Sequence, residues 1–110
     1  MIAVVEHKKD ALADLCRRFG VERLELFGSA AGDSFQPATS DLDFIVRFSF
    51  PSAGSYLDRY LDFAEALEQL FQRPVDLLTE RAIRNPHFRR SVEATRQPIY
   101  ERRNKELRSW

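Results

Sequence analysis

The run Asp41–Phe48 is apolar on both sides once its first residues are passed. A strand with one wet face alternates apolar and polar residues, whereas one buried on both faces reads as a continuous apolar run. This run therefore predicts a central strand covered on both faces. The rest of the chain supplies its cover. Lys8–Phe19 carries apolar residues at 11, 12, 15, 16 and 19, a helical stripe closed by Gly20. Val21–Phe27 reads as a strand with Leu24 and Leu26 on one side, Glu25 and Phe27 on the other. Tyr56–Phe71 reads as a helix whose buried stripe is Leu57, Tyr60, Leu61, Ala64, Leu67 and Phe71. Pro74–Leu78 reads as a third strand, Thr79 as the cap of a short helix, and Asn85-Pro86 as punctuation before a helix over His87–Thr95. Pro98–Tyr100 fits a short edge strand, where proline is tolerated. Helices alternating with strands predict an α/β (α+β) fold, a sheet with helices packed against it.

At 110 residues the chain has room for one domain, read as 1–100 with a charged tail over 101–110. No run of 18 apolar residues exists to cross a membrane, and the first residues reach Glu6 too soon for a signal peptide. The single cysteine, Cys16, excludes an internal disulfide and a cysteine-based zinc site; it lies on the apolar side of the first helix, as a core thiol would. The cytoplasm is the default compartment. Net charge is +0, so no overall basic field draws the chain to nucleic acid, and no direct nucleic-acid binding is expected. Charge is nonetheless uneven: residues 81–110 hold nine bases against three acids. His7 and His87 have no partner at metal-site spacing and read as surface residues.

The chemistry gathers at the start of the central strand. In Ser40-Asp41-Leu42-Asp43 the two acids are i and i+2, so both project from one face. Close carboxylates repel and raise each other's pKa, and a divalent cation relieves that. Mg²⁺ suits such a pair, completing its shell with waters and phosphate oxygens. Taken alone, the pair is better read as two solvated acids at a strand end. Upstream, Leu26-Phe27-Gly28-Ser29 takes a strand into Gly-Ser and then a candidate helix start. Glycine allows close backbone approach, and a serine hydroxyl with first-turn N–H groups can face an anion; alone, it is also an ordinary turn. In Val75-Asp76-Leu77-Leu78 an acid lies between apolar neighbours. It must face a wet edge or join a polar site. If that strand lies beside the Asp41 strand, Asp76 completes a cluster of three carboxylates able to hold two Mg²⁺ against a triphosphate.

Together, Leu26-Phe27-Gly28-Ser29, Ser40-Asp41-Leu42-Asp43-Phe44-Ile45-Val46 and Val75-Asp76-Leu77-Leu78 resemble the DNA polymerase beta-like nucleotidyltransferase superfamily. The short chain resembles its minimal nucleotidyltransferases, found with HEPN-domain partners in toxin–antitoxin modules. The resemblance implies a small mixed sheet carrying all three carboxylates. It implies ATP as substrate, and Mg²⁺ as two ions when nucleotide is bound. It assigns Gly28 and Ser29 to the β/γ-phosphates, Asp41 and Asp43 to both metals, and Asp76 to the catalytic metal and the incoming hydroxyl. It implies transfer of AMP to a hydroxyl of a HEPN-type toxin, the chain acting as antitoxin.

One departure stands out. The family often follows Gly-Ser with x-Ala-Arg-Gly, but this chain has Ala30-Ala31-Gly32-Asp33. Losing that arginine weakens phosphate binding, unless Lys8, Lys9, Arg47 or an arginine within 81–96 substitutes. The departure motivates an alternative: a catalytically weak or inactive binding module that neutralises a HEPN-type partner by complex formation. Transfer to a small molecule is a third reading, but relatives of that kind carry an extra domain for the acceptor.

Overall fold

A computed structural model describes residues 3–28, 41–49 and 55–102. Ser29, the predicted turn and loop over 29–40, Gly32 and Asp33 among them, and the tail from residue 103 lie outside the described residues. The described elements run α1 (Ala3–Glu6), α2 (Lys9–Phe19), β1 (Val21–Phe27), β2 (Leu42–Phe48), α3 (Tyr56–Phe71), β3 (Val75–Thr79), a 3-10 turn (Glu80–Ala82), α4 (Pro86–Thr95) and β4 (Gln97–Glu101).

The four strands form one mixed sheet in the order β3-β2-β1-β4. β1 pairs antiparallel with β2 and with β4, while β2 and β3 run parallel. The run that predicted a central strand is thus an inner strand, and it is covered on both sides. Leu42, Phe44 and Val46 face a core that also holds Leu24, Leu26, Leu12, Leu15, Phe63 and Leu67 from β1, α2 and α3. Ile45, with Phe27 beside it, faces a smaller apolar cluster closed by Ile83 and Val92, the latter from α4.

Local signals explain the boundaries. Gly20 ends α2 in a left-handed conformation at φ 68°, its N–H returning to Arg17 and Cys16 carbonyls. The Ser55 hydroxyl caps α3 by accepting from the Asp58 N–H. The Asn85 side chain caps α4 by accepting from the His87 and Phe88 N–H groups, with Pro86 in the first turn. Thr79 precedes the 3-10 turn without a side-chain cap bond. Cys16 is a core thiol whose pKa burial pushes up to about 12. Both histidines are exposed.

The buried stripe of α3 differs from expectation. Phe63, Leu67 and Phe71 are buried, but Leu57 and Leu61 are 61% and 53% exposed. The apolar arc of this helix is wider than the sheet can cover. Phe63 and Phe71 flank Leu67 one turn to either side, and Leu57 and Leu61 fall on the arc's margin. Phe63 wins the inward position because its ring packs against Phe19 and Phe48. The α1 turn was not read from the sequence, and it places Val5 fully in the core.

Candidate active site

The two sheet faces divide labour. The Leu24/Phe44 face packs the main apolar core, and the opposite face carries Glu25, Phe27, Asp43, Ile45 and Asp76. At one end of that second face, three chain segments meet. β1 ends at Phe27, which pairs with Asp43 of β2. Asp43 in turn stands in register with Asp76 of β3. Gly28, leaving β1, has φ +73°, and a β-carbon on it would sit 2.6 Å from Asp43 Oδ2. Only glycine lets the backbone pass that close to the carboxylate in this conformation.

The acids are not independent. Asp43 is pushed up to about 6, first by burial, then by its hydrogen bond with Asp76 and the negative charges of Asp76 and Asp41. A proton shared between the Asp43 and Asp76 carboxylates is what a like-charged pair adopts when nothing else neutralises it. The structure places Gly28 and Asp76 beside Asp43, with Asp41 near enough for its charge to act on Asp43. Among the described residues, no three acidic, imidazole or thiol side chains already converge on one metal-sized point. The donor set, all hard carboxylate oxygen with an excess of negative charge, fits Mg²⁺ in chemistry.

β3 is an edge strand, and α3 fixes it on both sides of Asp76. The Glu68 carboxylate accepts from the Val75 N–H at 3.1 Å, and the Tyr60 hydroxyl donates to the Leu77 carbonyl. Burial, then Tyr56, then the Asp76 charge raise the pKa of Tyr60, so it stays a donor. On the other flank, α4 reaches Gly28: its N–H donates to Thr95 Oγ1 at 2.9 Å.

Further along the same face, Glu25 is an acid only 3% exposed. Arg96 answers it, donating from Nε at 3.1 Å and from Nη2, and it also binds Glu80 and Glu93. The guanidinium is held firmly protonated, chiefly by its hydrogen bond to Glu25. A cavity of about 370 Å³ opens beside this network, lined by Arg23, Glu25, Arg47, Glu80 and Arg96. Its walls neutralise each other.

The family model described as Nucleotidyltransferase domain matches residues 8–99. The chain belongs to that family. Two proteins of Methanocaldococcus jannaschii, each carrying an inferred assignment as a protein adenylyltransferase, are 36% and 31% identical to this nucleotidyltransferase domain over 88 residues. In both cases the alignment covers 80% of this chain and 82% of the relative. A solved structure described by inference as a minimal nucleotidyltransferase is 32% identical, with a TM-score of 0.65 over 86% of this chain and 91% of the other. A tri-AMPylated HEPN toxin in complex with an MNT antitoxin, from Shewanella oneidensis, gives a TM-score of 0.59 at 15% identity over 93% and 76%. At that identity the likeness is one of fold.

Several residues that shape the site in this nucleotidyltransferase domain carried no sequence signal. Tyr60 read as core stripe and Glu68 as wet helix surface. Thr95 read as a helix end, and its contact with Gly28 spans most of the chain. Glu25 did carry one: an acid on the same strand side as Phe27 needs a cation partner once that side is buried.

Proposed function

We propose that this nucleotidyltransferase domain transfers AMP from ATP to a hydroxyl of a protein partner, a HEPN-type toxin, and acts in the cytoplasm as its antitoxin. The observation that carries the reading is the Asp43–Asp76 pair, in register across parallel strands and backed by Gly28. Family membership and adenylyltransferase relatives support it. Structural neighbours that include a toxin–antitoxin pair with AMP-PNP bound agree with it in fold.

In this reading Asp41, Asp43 and Asp76 hold Mg²⁺, two ions when nucleotide is bound, with Gly28 and Ser29 at the β/γ-phosphates. Bound Mg²⁺ supplies charge neutralisation at the phosphates and a template for in-line geometry. The chain's residues do the rest. The Gly28 backbone, free of a side chain, admits the triphosphate beside Asp43. The acceptor oxygen forms a bond to the α-phosphorus. The bond from that phosphorus to the bridging oxygen breaks, and its electron pair leaves with pyrophosphate. Asp76 takes or directs the acceptor's proton.

A second reading is a binding module with little catalysis. Two observations favour it. Gly32-Asp33 replaces the family's Arg-Gly. Of the cations that would substitute, Arg96 is engaged by three carboxylates and Arg47 pairs with Glu22 at 3.6 Å.

The test is a labelling experiment with Mg²⁺, host lysate and ATP labelled on the α- or the γ-phosphate. An α-specific protein band, lost on Asp43→Asn, is the expected result. No α-band, with a partner still co-purifying, overturns the enzyme reading in favour of the binding module.

A further inference from the structure

We infer that Thr95 is a positioning residue for the candidate phosphate turn: its hydroxyl holds Gly28 in the left-handed conformation that lets the backbone lie against Asp43. The assignment to phosphate rests on the transfer reading above; the contact itself does not.

Three observations carry it. Thr95 Oγ1 lies 2.9 Å from the Gly28 N, accepting its hydrogen bond across 67 residues of sequence. The same hydroxyl is oriented by its own helix, 3.1 Å from the Ser91 carbonyl and 3.4 Å from that of Val92. A hydroxyl has one proton to donate. With that proton turned to the α4 carbonyls, a lone pair faces Gly28. The third observation is steric. Gly28 at φ +73° leaves only 2.6 Å between a virtual β-carbon and Asp43 Oδ2. A small rotation of this peptide would move the backbone into the carboxylate or away from it. Gly28 follows the last residue of β1, and its N–H would otherwise lack a partner among the described residues. Thr95 supplies that partner from the last turn of α4.

α4 is itself held to the sheet. Val92 is buried with Phe27 and Ile45, and the neighbouring Arg96 binds Glu25 of β1 and Glu80. Thr95 therefore hangs from a fixed element. The Phe88 ring, edge-on to Phe27 at 6.1 Å, steadies the strand one residue before the turn.

The test compares wild type with Thr95→Val, which keeps the shape and removes the hydroxyl, and Thr95→Ser, which keeps the hydroxyl. Two quantities are read in each: amide hydrogen exchange at Gly28, with Leu24 as internal control, and affinity for the Mg²⁺ complex of AMP-PNP. Loss of one net hydrogen bond predicts that Thr95→Val speeds Gly28 exchange about three- to tenfold and weakens the nucleotide by a similar factor. Leu24 should stay unchanged and Thr95→Ser should behave as wild type. Unchanged exchange in Thr95→Val would overturn the contact. Faster exchange with unchanged affinity would overturn the positioning role, and so would a Thr95→Ser variant as impaired as Thr95→Val. If wild type itself fails to bind the nucleotide, the transfer reading falls and with it the link to phosphate, while Gly28 exchange still decides the contact.

Discussion

Asp43 is an acid that the fold makes reluctant to ionise, and that has a consequence for stability. Its pKa is about 6 in the folded chain against an ordinary 3.8. Between those values the folded state binds a proton that the unfolded state releases. The Asp43 contribution to stability is therefore fully present at the acid end, declines as pH rises through about 6, and is flat above. Asp43→Asn should remove that slope. In thermal melts across pH 4–8, the variant should gain on wild type as pH rises and melt higher at neutrality. Wild type alone should then be stabilised by added Mg²⁺, because the carboxylate that repels Asp76 is the one a cation would bind. Identical pH curves for the two proteins would contradict the coupling. Gly28 makes a second prediction at the same place. Gly28→Ala must hold φ +73° and push against Asp43. It should cost about 1–3 kcal/mol in urea unfolding and abolish nucleotide transfer.

The helices show where sequence reading reaches and where it stops. The bounds of α3 were legible because apolar residues recur from Tyr56 to Phe71. Its inward face was not, because ten apolar positions over four turns leave the phase open until a partner surface selects one. Phe63→Ala should therefore cost about 3–5 kcal/mol, whereas Leu61→Lys should change stability by no more than about 0.5 kcal/mol. Urea denaturation of the two variants settles the phase. α4 poses the opposite case. It has few apolar residues, and beside buried Val92 its hold on the sheet comes through Arg96, just past its end, and buried Glu25. Removing one partner of such a pair leaves a buried charge, so Arg96→Met should cost about 3–5 kcal/mol. The double variant Glu25→Leu/Arg96→Met should recover most of that loss, since neither charge remains. A double variant no better than the single one would mean that Arg96 acts mainly through half-buried Glu80 and exposed Glu93.

The architecture as a unit was legible for a topological reason. An apolar-on-both-sides strand must be inner, and acids two apart at its start must share a face. Whether Asp76 joined them hung on one unknown, the neighbour of β2, and the parallel β2-β3 pairing answers it. What the sequence could not provide were contacts between distant segments, such as Gly28 with Thr95 or Tyr60 with the Leu77 carbonyl. Spacing along a chain holds no information on those. The same separation bears on what the protein does with a partner. The acids sit at one end of one sheet face, while an apolar margin of Tyr56, Leu57 and Leu61 lies exposed on α3, across the sheet. If that margin is where a partner docks, the acids contribute chemistry and little of the affinity. An Asp43→Asn/Asp76→Asn variant should then form the complex with the proposed HEPN-type partner as wild type does, by native mass spectrometry, yet transfer no AMP. If wild type also transfers none while the complex persists, the fold serves as a mask. If the double variant loses the complex as well, the acids are part of the binding surface, and the separation of the two roles is wrong.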